Sequence, residues 1–106
     1  MSETVLKLFV TGRTRRSREA VRNIRALLSG RLHAVYDLSV VDVLENPEQA
    51  EIDHILATPT LVKHGAEGTI RIIGDLANTE EVVERLGDRG STEKPVEDRK
   101  DDEEGS

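Results

Sequence analysis

Four arginines near the amino terminus are spaced so that they could form one binding surface. They recur three, four and three residues apart and are Arg15, Arg18, Arg22 and Arg25. On a helix this spacing places them in one stripe. Glu19 is the only acid among them, so the stripe would carry excess positive charge. Such a stripe favours binding of an acidic partner, although a helix face that only contacts solvent has the same pattern.

Nucleic acid is a weaker candidate partner for this stripe. The chain has only two aromatic residues, Phe9 and Tyr36, and cannot build the stacking platform that single strands require. Its acidic carboxyl-terminal residues would also repel phosphate groups. The sequence therefore predicts no nucleic-acid partner.

The other reactive residue types do not form a catalytic or metal-binding pattern. The chain has no cysteine, which excludes disulfides, thiolate metal sites and dithiol redox chemistry. Its histidines are His33, His54 and His64, and they fall in different predicted elements without metal-site spacing. No candidate nucleophile has a base and an orienting group in a recognisable arrangement. We therefore predict a protein that is not an enzyme and holds no metal or cofactor.

The charge divides the chain into two parts. Residues 88–106 hold eight acids, four bases and one large aliphatic residue, Val96, and account for −4 of the net charge of −6. A segment of this composition buries too little apolar surface to offset the entropy lost on ordering. We predict a folded domain over residues 1–87 and a disordered acidic tail over residues 88–106, which would favour solubility.

No sequence feature indicates a secreted or membrane protein. The amino terminus lacks the basic and apolar regions of a signal peptide. No apolar run approaches the roughly 20 residues of a membrane helix. Together with the lack of cysteine, these features predict a cytoplasmic protein without a membrane partner.

The hydrophobic pattern alternates between the periods of strands and helices. The predicted strands cover residues 4–12, 35–44, 60–63 and 69–74. The predicted helices cover residues 15–28, a short segment after Asn46, and a last segment from Asn78 to Leu86. The order β-α-β-α-β-β-α predicts an α/β fold with a mixed sheet flanked by helices, as in the thioredoxin-like fold.

The helix starts and apolar stripes can also be assigned. Thr14 or Ser17 is the candidate N-cap of the first helix, and Asn46 followed by Pro47 starts the second. The second helix is expected to bury three side chains, Ile52, Ile55 and Leu56.

Residues 58–60, Thr-Pro-Thr, have the form with which thioredoxin-like folds place a cis-proline beside their active site. We expect Pro59 to be cis, although an ordinary trans proline at the start of a strand would fit the pattern. In such enzymes the redox motif lies between the first strand and the first helix. The corresponding residues 12–17 contain no thiol, so the fold is expected without its usual chemistry.

Four blocks of the sequence resemble the KaiB family of circadian clock proteins. They are VLKLFVTG (residues 5–12), VVDVLENP (40–47), ILATPTL (55–61) and RIIGDL (71–76). With the intervals between them they cover residues 4–87, and their combination in this order is specific. The last block contains Gly74 and Asp75, for which we expect a structural role.

The resemblance implies a non-enzymatic binding protein. KaiB-like proteins bind the ring of the RecA-type ATPase KaiC, and in the full clock they also sequester KaiA and compete with a sensor histidine kinase. The family's KaiC contact involves the first helix, which corresponds to the region of Arg18, Arg22 and Arg25. The KaiA-facing edge corresponds to the second strand around Asp37 and Ser39.

The family is also known for two folds, a tetrameric ground state and a monomeric thioredoxin-like state that binds KaiC. Two departures in this chain favour the second state. Residues 63–68 lack the proline run of many clock members, and the sequence turns polar after Leu86. We expect a monomer or small homo-oligomer that rests mainly in the thioredoxin-like state, with the tetramer as the alternative.

A rival interpretation is a thioredoxin-fold adaptor or sensor domain that docks on a histidine kinase or another signalling partner. A kinase module would be expected to continue into coiled-coil and ATP-binding segments. Here an acidic segment follows the domain, which favours a free-standing protein.

Overall fold

The protein has seven regular elements in the predicted order. A computed structural model describes residues 4–30, 32, 35–65 and 68–87, and the predicted acidic tail lies outside these residues. The strands are β1 (Thr4–Val10), β2 (Tyr36–Asp42), β3 (Thr60–Gly65) and β4 (Gly68–Ile73). The helices are α1 (Arg15–Gly30), α2 (Pro47–Ile52) and α3 (Thr79–Leu86). The predicted thioredoxin-like order of elements is confirmed.

The four strands form one mixed sheet in the order β2-β1-β3-β4. β1 pairs in parallel with β2 and antiparallel with β3, and β3 forms an antiparallel hairpin with β4. The nearly continuous aliphatic sequence of β1 suits this central position, because an inner strand covered on both faces must be apolar on both. β2 and β4 are left as the two edges of the sheet.

One face of the sheet carries the main hydrophobic core. Leu8 on β1 pairs with Leu61 on β3, which pairs with Ile72 on β4, so the three side chains lie on the same face. Helices α1 and α3 both cover this face, and their buried side chains in the core are Ala20, Ile24, Leu27, Val82, Val83 and Leu86. α1 and α3 therefore form one layer.

The other face has a smaller buried region, and α2 contributes little to it. Phe9 and Val62 point to this face and are fully buried. The prediction that the second helix buries Ile52, Ile55 and Leu56 is wrong, since α2 has no buried residue. The helix is only six residues long and ends at Ile52, so Ile55 and Leu56 lie beyond it and cannot share a helical stripe with Ile52.

The helix ends refine the sequence predictions. Thr14 is the N-cap of α1, because its hydroxyl accepts a hydrogen bond from the Ser17 N–H at 3.3 Å. α1 also runs on to Gly30, past the predicted end at residue 28. Asn46 precedes α2 but makes no side-chain cap; its amide instead donates to the Asp42 carbonyl at 3.1 Å.

α2 is tied to the sheet through a carboxylate rather than through apolar packing. Asp53, the C-cap residue of α2, lies 3.5 Å from Lys7 Nζ on β1 and 3.9 Å from His64 Nε2 on β3. Gln49 Nε2 donates to the same carboxylate at 2.9 Å. Burial acts to raise the pKa of Asp53, but the Gln49 hydrogen bond and the charges of Lys7 and His64 outweigh it, so this pKa lies below its ordinary value.

We expect Asp53→Asn to lower the free energy of unfolding by roughly 1 kcal/mol at pH 7, because the amide cannot pair with Lys7. The pKa of Asp53 is lower in the folded than in the unfolded chain. Its contribution is therefore fully present above the ordinary aspartate pKa of about 3.9 and is lost as the pH falls through the folded value.

Urea unfolding followed by circular dichroism between pH 3 and pH 7 measures this effect. The exposed Asp37→Asn is the matched control, since its side chain makes no hydrogen bond or ion pair within the described residues. A difference between wild type and Asp53→Asn that stays constant over the whole pH range would contradict the role assigned to Asp53.

Candidate protein-binding surface

The four arginines of the predicted stripe lie on the solvent side of α1. Arg15, Arg18, Arg22 and Arg25 are all exposed. The opposite side of the same helix is buried in the core and consists of Ser17, Ala20, Ile24 and Leu27. The amphipathic pattern thus determines which side chains face outward, and we call the four arginines the arginine stripe.

Three of the four charges of the arginine stripe have no ion-pair partner among the described residues. Arg15 Nε lies 3.3 Å from Glu19 Oε2 one turn along the helix, and such an exposed pair contributes little to stability. Arg18, Arg22 and Arg25 make no ion pair or side-chain hydrogen bond with any described residue. Their positive charges are available to a partner.

Hydrogen bonds from both parallel strands fix the start of α1. Asp42 Oδ1, at the end of β2, accepts from the backbone N–H groups of Gly12 and Leu44, each at 3.0 Å. The Thr11 N–H donates to the buried Ser17 Oγ at 3.0 Å. Gly12 has φ +49°, a left-handed conformation that favours glycine. The loop that leads into the arginine stripe is thereby held to the sheet.

The middle of α1 is tied to the segment that follows β4. Asn23 Nδ2 donates to the carbonyl of Asp75 at 2.8 Å, and the Asp75 carboxylate accepts from the Ala77 N–H at 3.0 Å. Gly74 has φ +123°, a backbone conformation that residues other than glycine rarely adopt. Gly74 and Asp75 thus lie in the segment that holds the middle of α1. The structural role predicted for them is to position this helix.

The segment around Pro59 lies beside the loop between β1 and α1. The Thr58–Pro59 peptide bond is cis, and the Pro59 carbonyl accepts from the Gly74 N–H at 2.9 Å. The hydroxyl groups of Thr58 and Thr11 are hydrogen-bonded to each other. The cis-proline expected of a thioredoxin-like fold is therefore present. The contacts around it are hydroxyl and backbone hydrogen bonds, and the region contains no thiol.

An open cavity of about 340 Å³ adjoins the arginine stripe between α1 and β2. Three valines, Val10, Val21 and Val40, line it together with charged side chains that include Arg13 and Arg18. A partner that contacts Arg18 would therefore also meet apolar surface. Binding there could combine charge attraction with burial of apolar area.

Asp37 and Ser39 lie on a separate surface. Both are exposed on the edge strand β2, where they pair with Val5 and Lys7 of β1. The sheet register places them on the face opposite to Leu6 and Leu8, and hence opposite to α1. The structure does not bring them together with the arginine stripe.

Sequence reasoning missed a group of exposed apolar side chains. Leu44, Ile52, Leu56 and Ile73 are 68%, 70%, 97% and 70% exposed. The residue types and spacing of Ile52 and Leu56 fit a buried helical stripe, which is why the sequence predicts their burial. The sequence did contain a contrary signal, since Pro47 and Pro59 leave room for only a short helix between them.

Among the described residues, no group of three histidines, cysteines, aspartates or glutamates is placed to hold a metal ion. In the same part of the chain, no helix has both the length and the apolar character needed to span a membrane.

Comparison with known proteins places these features in context. A family model described as the KaiB domain matches residues 7–87. The circadian clock protein KaiB3 of a Synechocystis species is 42% identical over 83 residues, which cover 78% of this chain and 81% of that protein.

Two solved structures share the fold at lower identity. The N-terminal domain of Synechococcus elongatus SasA matches with a TM-score of 0.66 and 24% identity, over 88% of this chain and 91% of that one. Mitochondrial thioredoxin 3 from Saccharomyces cerevisiae matches with a TM-score of 0.64 and 19% identity, over 77% and 76% of the two chains. The fold is thioredoxin-like.

The exposed arginines should be dispensable for folding. We expect Arg18→Ala, Arg22→Ala and Arg25→Ala each to change the free energy of unfolding by less than about 0.5 kcal/mol. Ile24→Ala on the buried side of the same helix should cost about 2–5 kcal/mol, because it leaves a cavity in the core. Urea unfolding of the four variants tests this contrast, and a loss above about 1 kcal/mol for an arginine variant would show an unrecognised structural role.

Proposed function

Since the chain belongs to the KaiB family of circadian clock proteins, we propose that it binds a KaiC-type RecA-like ATPase through the exposed face of α1. The observation that carries this proposal is the arginine stripe on the exposed side of α1, where three of the four charges have no partner among the described residues. These side chains are exposed and are expected to contribute little to the free energy of unfolding, so binding explains their alignment better than stability does. The adjacent valine-lined cavity supplies apolar contact area for the same partner.

The spacing of the stripe suits an acidic protein surface. Arg18 and Arg25 are seven residues apart, which corresponds to about 10 Å along a helix. This is close to the distance of about 8 Å over which salt screens charges at physiological ionic strength. Arg18, Arg22 and Arg25 therefore act on a partner as one patch, which raises association rates and disfavours basic partners.

We propose that β2 serves a second partner of the KaiA kind through Asp37 and Ser39. β2 is an edge strand, and strand edges carry backbone groups that can pair with an added segment. Because Asp37 and Ser39 lie on the sheet face opposite to α1, this surface does not overlap the arginine stripe.

In this proposal the protein acts by binding alone, in the cytoplasm, without a cofactor. The absence of cysteine from the chain removes the dithiol chemistry of thioredoxins. The residues that occupy the equivalent loop, including Thr11 and Ser17, are engaged in hydrogen bonds that position α1.

The binding prediction is tested by mixing the protein with a KaiC-type ATPase, in ATP or ADP, on a sizing column with light scattering. We expect co-elution as a ring complex. Arg22→Glu should weaken the affinity by roughly tenfold or more, because it reverses one charge in the middle of the patch. Arg71→Glu is the matched control, since it makes the same charge change at an exposed arginine on β4.

Two outcomes would contradict the proposed docking face. Equal losses in Arg22→Glu and Arg71→Glu would show that net charge matters and the helix face does not. If the protein stays free under every nucleotide condition, the clock function fails, and docking on a histidine kinase becomes the function to pursue.

The resting state is expected to be a thioredoxin-like monomer. Residues 63–68 include Gly65 and Gly68 where many clock members have prolines, and the sequence turns polar after Leu86. Light scattering of the protein alone should give a mass near 11.8 kDa. A mass four times larger would indicate the tetrameric ground state and overturn this prediction.

A further inference from the structure

We infer that the acidic residues 88–106 bind the arginine stripe of the same molecule and compete with its partner. The inference that the segment competes rests on the proposed docking function of the stripe, whereas the contact itself does not. The occupant is identified by charge complementarity, by the position of the available cations and by the reach of the chain from α3.

The segment supplies a dense block of negative charge. Its acids outnumber its bases by eight to four, and four acids are consecutive: Asp101, Asp102, Glu103 and Glu104. Carboxylates pair well with guanidinium groups, which present several donors to one acid. The block is therefore chemically suited to a row of arginines.

The available cations of the described domain are concentrated at α1. Lys7 pairs with Asp53, Arg15 with Glu19, and Lys63 and Arg85 donate to backbone carbonyl groups. The lysines and arginines of the described residues that have no such partner are Arg13, Arg16, Arg18, Arg22, Arg25 and Arg71. Five of these six lie on α1 or in the loop before it. On the described part of the domain, the cations available to an acidic segment therefore lie mainly at α1.

The segment follows a helix that covers the same face of the sheet as α1. α3 packs in the same layer as α1, and Leu86 at its end belongs to the same core cluster as Leu27. Gly87 then ends α3 in a left-handed conformation, with φ +74°. The described chain thus ends on the same face of the sheet as the helix that carries the arginine stripe.

The expected reach of the segment is comparable with the length of α1. Asp101 to Glu104 lie 14–17 residues beyond Gly87. A coil of about 15 residues has a root-mean-square length of roughly 20–23 Å, and a helix of 16 residues is about 24 Å long. A tether whose length matches the span gives an effective concentration in the millimolar range. Weak ion pairs are then sufficient for partial occupancy.

The contact has a predictable effect on partner binding. An acidic partner must displace the segment from the arginine stripe. The apparent affinity for the partner is therefore multiplied by the fraction of molecules in which the stripe is unoccupied. Both interactions weaken with salt, but the intramolecular contact makes no stable apolar burial and should be lost first. Neutralising the segment should therefore raise partner affinity by roughly two- to tenfold at low salt.

The contact is tested directly by nuclear magnetic resonance on the full chain. Because the chain has no cysteine, Ser106→Cys provides a single site for a nitroxide label. At low salt we expect the label to broaden the amide signals of α1 around Arg18, Arg22 and Arg25, and to leave those of α2 sharp. In about 0.5 M salt the broadening should disappear, since charges are then screened within a few ångströms.

Two labelled variants with equal net charge provide the control. Asp102→Asn/Glu103→Gln/Glu104→Gln removes three acids from the segment, and Glu45→Gln/Glu48→Gln/Glu51→Gln removes three exposed acids around α2. Only the first should abolish the broadening on α1. No broadening, broadening elsewhere, equal loss in both variants or broadening that persists at high salt would each overturn the inference.

Partner binding separates this inference from the proposed function. If the label contacts α1 but the protein never binds the ATPase, the intramolecular contact stands and the docking function fails. If the ATPase binds with the same affinity to wild type and to the variant with the neutralised segment, and the label leaves α1 sharp, the docking function stands and the competition fails.

Discussion

The burial of β1 on both faces is the constraint on which the rest of the structure depends. Leu6 and Leu8 point to one side and Phe9 to the other, and all three are fully buried. β1 can be covered in this way only if β2 and β3 flank it and helices lie over the sheet. α1 meets this requirement with its apolar stripe and must therefore present its other side, the arginine stripe, to solvent.

Local patterns in the sequence were sufficient to predict the order of elements. The aliphatic run of β1, the helical spacing of Ile24 and Leu27, and Asn78 with Gly87 at the ends of α3 are signals carried within a few residues. Asn78 Oδ1 accepts from the Glu81 N–H at 3.2 Å, and Gly87 is left-handed, so both signals have the physical basis assumed for them. The arginine stripe was predicted by the same logic.

Features that depend on contacts distant in sequence could not be predicted. Ile52 and Leu56 have the composition of core residues, yet burial depends on whether another element covers them, and none of the described elements does. Asp42 resembles a solvated acid at a strand end, but it holds the loop that starts α1, 30 residues earlier in the chain. Such pairings arise only when β2 lies beside β1, so the sequence of either segment alone does not reveal them.

The region that holds the redox motif in thioredoxins has a different physical task in this protein. There the start of the first helix lowers the pKa of an attacking thiol, which requires a cysteine at that place. Here Ser17 is buried and accepts from the Thr11 N–H, and Thr11 and Thr58 join the loop to the cis-proline segment. These groups are used within the domain to set the position of α1. Contacts of the kind that would align a nucleophile here orient a row of arginines. The residues that hold the loop in place are therefore different from the exposed residues of the arginine stripe.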